Sequence, residues 1–164
     1  MWIVAKYDRN KLNFFLSNLK KELNGDLKIY NPVLRIKNFY KKTKEKKIYV
    51  LEDYIFCFSE KFLLKSTIVN LKFTKGLKYF LSDTSENQKD IVKFINRCKE
   101  IEDKDGCIKQ SLFETKINQN YRFVSGPFSD QIFKIIKLHK NKIQILLSGI
   151  KTTLNKEKLQ YLPA

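Results

Sequence analysis

The spacing of apolar residues changes several times along the chain, and each change predicts a different element. Leu12, Phe15, Leu16, Leu19 and Leu23 recur every three or four residues with Lys20, Lys21 and Glu22 between them, which predicts an amphipathic helix. Asp8 stands where such a helix needs an N-terminal cap, and Asn24-Gly25-Asp26 where it should stop. Ahead of it, Trp2 to Tyr7 is a short, partly β-branched run that reads as a strand. Residues 27–36 and 48–59 are rich in Ile, Val, Tyr and Phe and predict a β-hairpin, with the lysine-dense stretch 41–47 as its tip. A short helix is expected over 62–70, then, after Gly76, a strand over 77–81. Ser85 followed three residues later by Gln88 has the form of a capping box, so a third helix is expected to begin at Ser85 and to bury Ile91, Phe94, Ile95 and Cys98.

Residues 100–110 are polar, carry Asp103-Lys104-Asp105-Gly106 and show no sustained period, which predicts a linker. Beyond it the pattern shortens. Apolar runs at 121–124, 132–138, 142–147, 152–154 and 159–162 are separated by turn signals, as in a small β-barrel. The expected fold class is therefore an α+β N-terminal domain, an antiparallel sheet covered by helices, followed by a small all-β C-terminal barrel. The expected boundaries are 1–102 for the first domain, 103–116 for the linker and 117–164 for the second.

Composition narrows the functional classes. No run approaches the roughly 18 uninterrupted apolar residues of a membrane span, and the first residues lack a basic region before an apolar signal core, so a cytoplasmic protein without membrane contact is expected. Cys57, Cys98 and Cys107 are odd in number and scattered, which suits free thiols rather than a disulfide framework. The 33 basic and 17 acidic residues give a formal charge of +16, a balance that attracts polyanions such as nucleic acid. Lysine, asparagine and isoleucine are abundant together and arginine is scarce, so the same basicity is also what AT-rich codon usage produces.

Catalysis needs a titratable group tuned beside a nucleophile, acid or metal, and few are on offer. His139 is the only histidine and lies in a stretch that reads as a hairpin turn. Glu52 and Asp53 could pair as acid and base, but at a strand edge they read better as solvated charges. No phosphate-cradling glycine loop, zinc spacing or nucleophile elbow is present, so neither an enzyme nor a cofactor is expected.

Two segments carry a resemblance. Phe123-Val124-Ser125-Gly126-Pro127-Phe128, followed by two strands and Gly149-Ile150-Lys151-Thr152, resembles the KOW motif that closes NusG-family proteins. Trp2-Ile3-Val4 leading into a helix, Leu51-Glu52-Asp53-Tyr54-Ile55-Phe56, and Gly76 with Tyr79-Phe80 are similar to that family's N-terminal domain. Glu52, Ile3 and Phe133 depart from its usual Pro, Tyr and second Gly, which looks more like a specialised, RfaH-like paralog than the general factor.

The resemblance implies a transcription elongation or antitermination factor, expected to act as a monomer. Its N-terminal domain would lie on the clamp helices of the largest RNA polymerase subunit, with Tyr7, Leu51, Tyr54 and Phe56 as contact residues. Its KOW barrel would recruit ribosomal protein NusE or Rho, with Phe128 as the matching contact. Lys41, Lys42, Lys46 and Lys47 are expected to touch nucleic acid weakly near the elongation complex. The competing reading is a KOW-containing structural RNA-binding or ribosome-associated protein.

Overall fold

The computed structural model describes residues 1–36, 46–82, 84–108, 115–156 and 159–164. They divide into two compact units, Met1–Pro32 with Tyr49–Glu100, and Val33–Ile48 with Ile101–Ala164. Among the described residues the architecture is mixed α+β, with three α-helices and three mostly antiparallel sheets. No helix among them is long and apolar enough to cross a membrane.

In the first unit a four-stranded antiparallel sheet has the order β2 (Lys28–Tyr30), β5 (Tyr54–Phe58), β1 (Trp2–Tyr7), β6 (Leu77–Phe80). Period-two alternation sorts the central strands. Ile3, Ala5, Tyr7, Ile55 and Cys57 share one face. There they pack against Phe15 and Leu19 of α1 (Leu12–Glu22), Phe62 of a 3-10 turn (Glu60–Leu63) and Leu71 of α2 (Lys65–Leu71). Each Å² of apolar surface removed from water in this cluster contributes about 25 cal/mol to the unit's stability. The opposite face presents Val4 and Phe56, which pack with Ile95 of α3 (Gln88–Glu100) and its neighbours Ile91 and Phe94.

Local chemistry frames the first helix, but Asp8 caps the 3-10 turn Arg9–Lys11 and α1 itself opens behind Lys11, which makes no side-chain cap. The Asp8 carboxylate accepts the Asn10 N–H at 3.1 Å in the turn that feeds α1, and Asn24 and Gly25 end it with φ of 55° and 85°. Gly76 is held against α1, where an added Cβ would stand 3.0 Å from that of Phe15, at a φ of 90°.

Two expectations are corrected here. α3 starts at Gln88, three residues after the proposed cap at Ser85. The Gln88 side chain closes a long-range pair instead: its Oε1 accepts the Trp2 N–H at 2.9 Å and its Nε2 donates to the Trp2 carbonyl at 2.7 Å. The predicted single hairpin is split between sheets. β2 pairs with β5, whereas β3 (Val33–Ile36) lies between β4 (Lys46–Tyr49) and β7 (Cys107–Ile108) in a three-stranded sheet. The break falls at Asn31-Pro32, where proline has no N–H to continue a ladder.

The second unit carries that three-stranded sheet and a five-stranded antiparallel one. The latter has the order β11 (Ile150–Asn155), β10 (Lys142–Leu147), β9 (Ile132–Leu138), β8 (Asn120–Phe123), β12 (Tyr161–Pro163). Tyr121, Phe123, Phe133, Ile135, Ile143, Ile145 and Tyr161 form its core, with the Phe123 and Phe133 rings stacked at 4.1 Å. Ser148 and Gly149, both at positive φ, make the two-residue turn from β10 to β11.

Part of the stretch read as a linker is built into this unit. Asp103 accepts the N–H groups of Asp105 and Cys107 at 2.9 and 3.0 Å, and β7 runs parallel to β3 with Val33 opposite Cys107. Residues 109–114 lie outside the described residues.

Candidate functional site

The outer face of the first unit's sheet, the one that also receives α3, holds Leu51, Tyr54 and Phe56 of the residues singled out for partner contact, while Tyr7 lies on the inner face. Strand register sets their arrangement. Lys6 of β1 is opposite Tyr54 of β5 on one side and Tyr79 of β6 on the other, so three side chains form one row across the sheet. One row further along, Val4 is opposite Phe56, beneath α3.

Chemically the first row is a cation held between two phenols. The Lys6 ammonium donates to the Tyr54 hydroxyl at 3.1 Å and lies 4.8 Å from the Tyr54 ring and 5.7 Å from the Tyr79 ring. The two hydroxyls are 3.2 Å apart. Asp53 adds a carboxylate 3.8 Å from Lys6 and 3.6 Å from Lys78. The hydrogen bond to Tyr54, ahead of the Asp53 charge, raises the Lys6 pKa above its ordinary value, so the group is cationic throughout the physiological range. The bond with Tyr79, then that with Lys6, lowers the Tyr54 pKa, and the bond with Tyr54 raises that of Tyr79. Such a row has no nucleophile poised for attack. It offers flat aromatic area with a fixed positive charge, which suits packing against a partner surface.

The predicted contact residues fall into two groups. Tyr54 is half-buried and Tyr79 is 45% exposed. Tyr7, by contrast, is 2% exposed on the inner face, where its ring is parallel to Phe15 and its hydroxyl donates to the Glu52 carbonyl at 3.1 Å. Phe56 is 7% exposed, with its ring 5.8 Å from Phe94 and 6.4 Å from Tyr30. Leu51 is half-buried against the same cluster. Tyr7 and Phe56 are thus interior residues beside the row rather than exposed anchors. Glu52 and Asp53 do not pair with each other, nor are they simply solvated: Glu52 bonds Arg9, and Asp53 bridges the two lysines.

Lys6 and Tyr79 were not among the residues expected at the contact. Lys6 shares the outward phase of Val4, but a register shift puts Tyr79 and Leu77, two residues apart, on opposite faces, and the pairing of β6 with β1 is a long-range choice that no local pattern announces.

In the second unit Phe128 is 38% exposed, with its ring tilted against Phe123 at 5.8 Å. Its loop is tied by the Ser129 hydroxyl donating to the Gly126 carbonyl at 2.8 Å. Of the lysines expected at nucleic acid, Lys41 and Lys42 and the side chain of Lys46 lie outside the described residues. Lys47 is exposed on β4, and its charge helps to hold the Asp103 carboxyl below the usual range, after the N–H groups of Cys107 and Asp105 and the Arg35 charge. His139 is exposed in the turn between β9 and β10.

No family model and no curated protein matches the chain. Among solved structures it is similar to a chain in the crystal structure of the MjSpt4:Spt5 complex, at 14% identity and a TM-score of 0.32, covering 100% of this chain and 98% of that one. It is also similar to NusG of Thermotoga maritima, at 13% identity and a TM-score of 0.40, covering 94% of this chain and 91% of the other. Likeness of this degree carries no functional argument, which rests instead on the residues.

Proposed function

We propose that the chain is a transcription elongation factor of the NusG type, a binding protein rather than an enzyme, which engages RNA polymerase through the outer sheet face of its first unit. The observation that carries this reading is the row Tyr54, Lys6, Tyr79. It includes Tyr54 of the Leu51-to-Phe56 segment that resembles the family motif, and it leaves aromatic area open. Aromatic side chains give large contact area at low entropy cost, and a neighbouring fixed cation favours an acidic partner surface. Tyr7 and Phe56 support the row from the two cores, Tyr7 by holding the Glu52 carbonyl and Phe56 by packing beneath α3. On the same resemblance, residues 117–164 of the second unit form a KOW barrel whose half-exposed Phe128 meets a second partner, NusE or Rho.

Affinity purification of the full chain from its native cell, with and without nuclease, tests the reading. Co-purification of polymerase subunits that survives nuclease is expected. Recovery of ribosomal proteins or RNA alone, lost on nuclease treatment, would favour the RNA-binding alternative.

A further inference from the structure

We propose that the outer face of β9, β10 and β11 in the second unit binds the phosphate backbone of double-stranded nucleic acid. The inner face of these strands is closed by Phe133, Ile135, Ile143 and Ile145, and alternation sends Lys134, Lys137, Lys142 and Lys151 outward, all exposed. A bulge completes the set. Lys134 and Lys137 are three residues apart and would face opposite sides of a regular strand. The register shift between Gln144 and Ile145 absorbs Ile136 and places Lys134 opposite Leu146 and Lys137 opposite Gln144, on one side.

The register then gives the spacing. Lys134, Leu146 and Lys151 form one row, Lys137, Gln144 and Thr153 the next, and Lys142 with Asn155 the one after. Rows two residues apart are separated by about 6.8 Å and neighbouring strands by about 4.8 Å. Four ammonium groups therefore spread over a sheet area of roughly 10 by 14 Å, at intervals comparable to successive phosphates.

Codon bias does not account for this face. Residues 131–156 hold six Lys, one His and no Asp or Glu, whereas the chain-wide rate of 17 acidic residues in 164 would bring about three. In the first unit Lys6, Lys11 and Lys78 are paired with carboxylates, and the exposed Lys20, Lys21, Lys72 and Lys75 are divided between α1 and the segment after α2 rather than gathered on one sheet face. Among the described residues none of the four lysines on this face has such a partner.

The chemistry of the face selects the occupant. Its strands contain a single aromatic residue, Phe133, which points inward, so there is no stacking platform for the bases of a single strand. The apolar side chains on this face are half-buried Leu146, in the row of Lys134 and Lys151, and exposed Ile132 beyond it, too little to insert into a lipid interface. Lysines with an amide and a hydroxyl between them fit a duplex backbone, read without sequence preference.

The test is fluorescence anisotropy of the full chain with a DNA duplex, an RNA duplex of equal length and a single strand, at 50 to 200 mM salt. Releasing counterions from four phosphates contributes about −3.6 to the slope of log affinity against log salt for a DNA duplex. Changing Lys134, Lys137, Lys142 and Lys151 together to Gln should flatten the slope by roughly that amount and weaken duplex binding roughly a hundredfold or more. Each single change should flatten it by about one. Changing the exposed Lys20, Lys21, Lys72 and Lys75 of the first unit removes the same charge and should have a much smaller effect. Whether DNA or RNA binds better identifies the source of the phosphates, and either supports the site. Equal losses in the two quartets, preference for the single strand, or competition by anionic vesicles or polyglutamate as effective as by duplex would overturn it.

Discussion

Tyr54 and Phe56 stand two residues apart on the same face of one strand, but Phe56 is buried in the cluster with Ile95 of α3 whereas Tyr54 is half-buried at its margin. Their side chains therefore answer to different forces. Phe56→Ala empties a packed position against Phe94 and Tyr30 and should cost about 3–5 kcal/mol in a denaturant titration. Tyr79→Ala, removing a ring that is 45% exposed, should stay within about 1 kcal/mol of the parent, and Tyr54→Ala, half-buried at the margin of that cluster, should cost less than Phe56→Ala. Equal losses at all three positions would mean that the row is core. Alternation made the shared face legible from the sequence, but the position of α3 did not show, because Gln88 is fixed by the Trp2 backbone 86 residues away. Acid titration tests another residue. Asp26 accepts from the Ser59 hydroxyl at 2.6 Å and the Glu60 N–H at 3.1 Å, and these bonds hold its carboxyl below the ordinary 3.8. A depressed folded pKa means the contribution is present above about pH 3.8 and is lost as the pH falls through the lower folded value. Asp26→Asn should accordingly flatten the acid limb of stability against pH, measured by unfolding between about pH 5 and 2; an unchanged limb would show that Asp26 is not part of it.

At the scale of elements, the helix α1 could be read almost to the residue because its stripe and stop are local, although Asp8 caps the 3-10 turn ahead of it rather than the helix itself. The hairpin could not. Residues 27–36 look like one strand, and only Asn31-Pro32 hints that the segment serves two sheets, β2 going to β5 and β3 to β4 and β7. The pairing of β3 with β7 was equally hidden, since Cys107-Ile108 follows a polar stretch with no strand signature of its own. What holds β7 in place is the Asp103 turn: two N–H groups accepted by one carboxylate that also pairs with Arg35 at 3.1 Å. Asp103→Ala should therefore loosen β7 selectively. Amide exchange is expected to quicken at Cys107 and Ile108 while the amides of β9 and β10 stay protected. Uniform quickening throughout the second unit would instead make the turn essential to its whole fold.

For the whole molecule, the charge of +16 is unevenly used: the first unit spends lysines in ion pairs around Asp53 and Asp8, and the second leaves an acid-free sheet face. Polymerase engagement by the first unit and duplex binding by the second are separable proposals, because the residues that carry them lie in different units. Substituting one set should leave the other activity in place. The central claim is tested most directly by the affinity of the full chain for core RNA polymerase in the presence of nuclease, comparing the parent with the Tyr54→Ala/Tyr79→Ala double variant. Interface aromatics of this kind each carry about 2 kcal/mol or more, roughly 30-fold apiece, so a loss of roughly a thousandfold is expected for the pair if the two add, with the thermal midpoint little changed. Undiminished affinity in the double variant, or a parent chain that does not bind polymerase, would contradict the account.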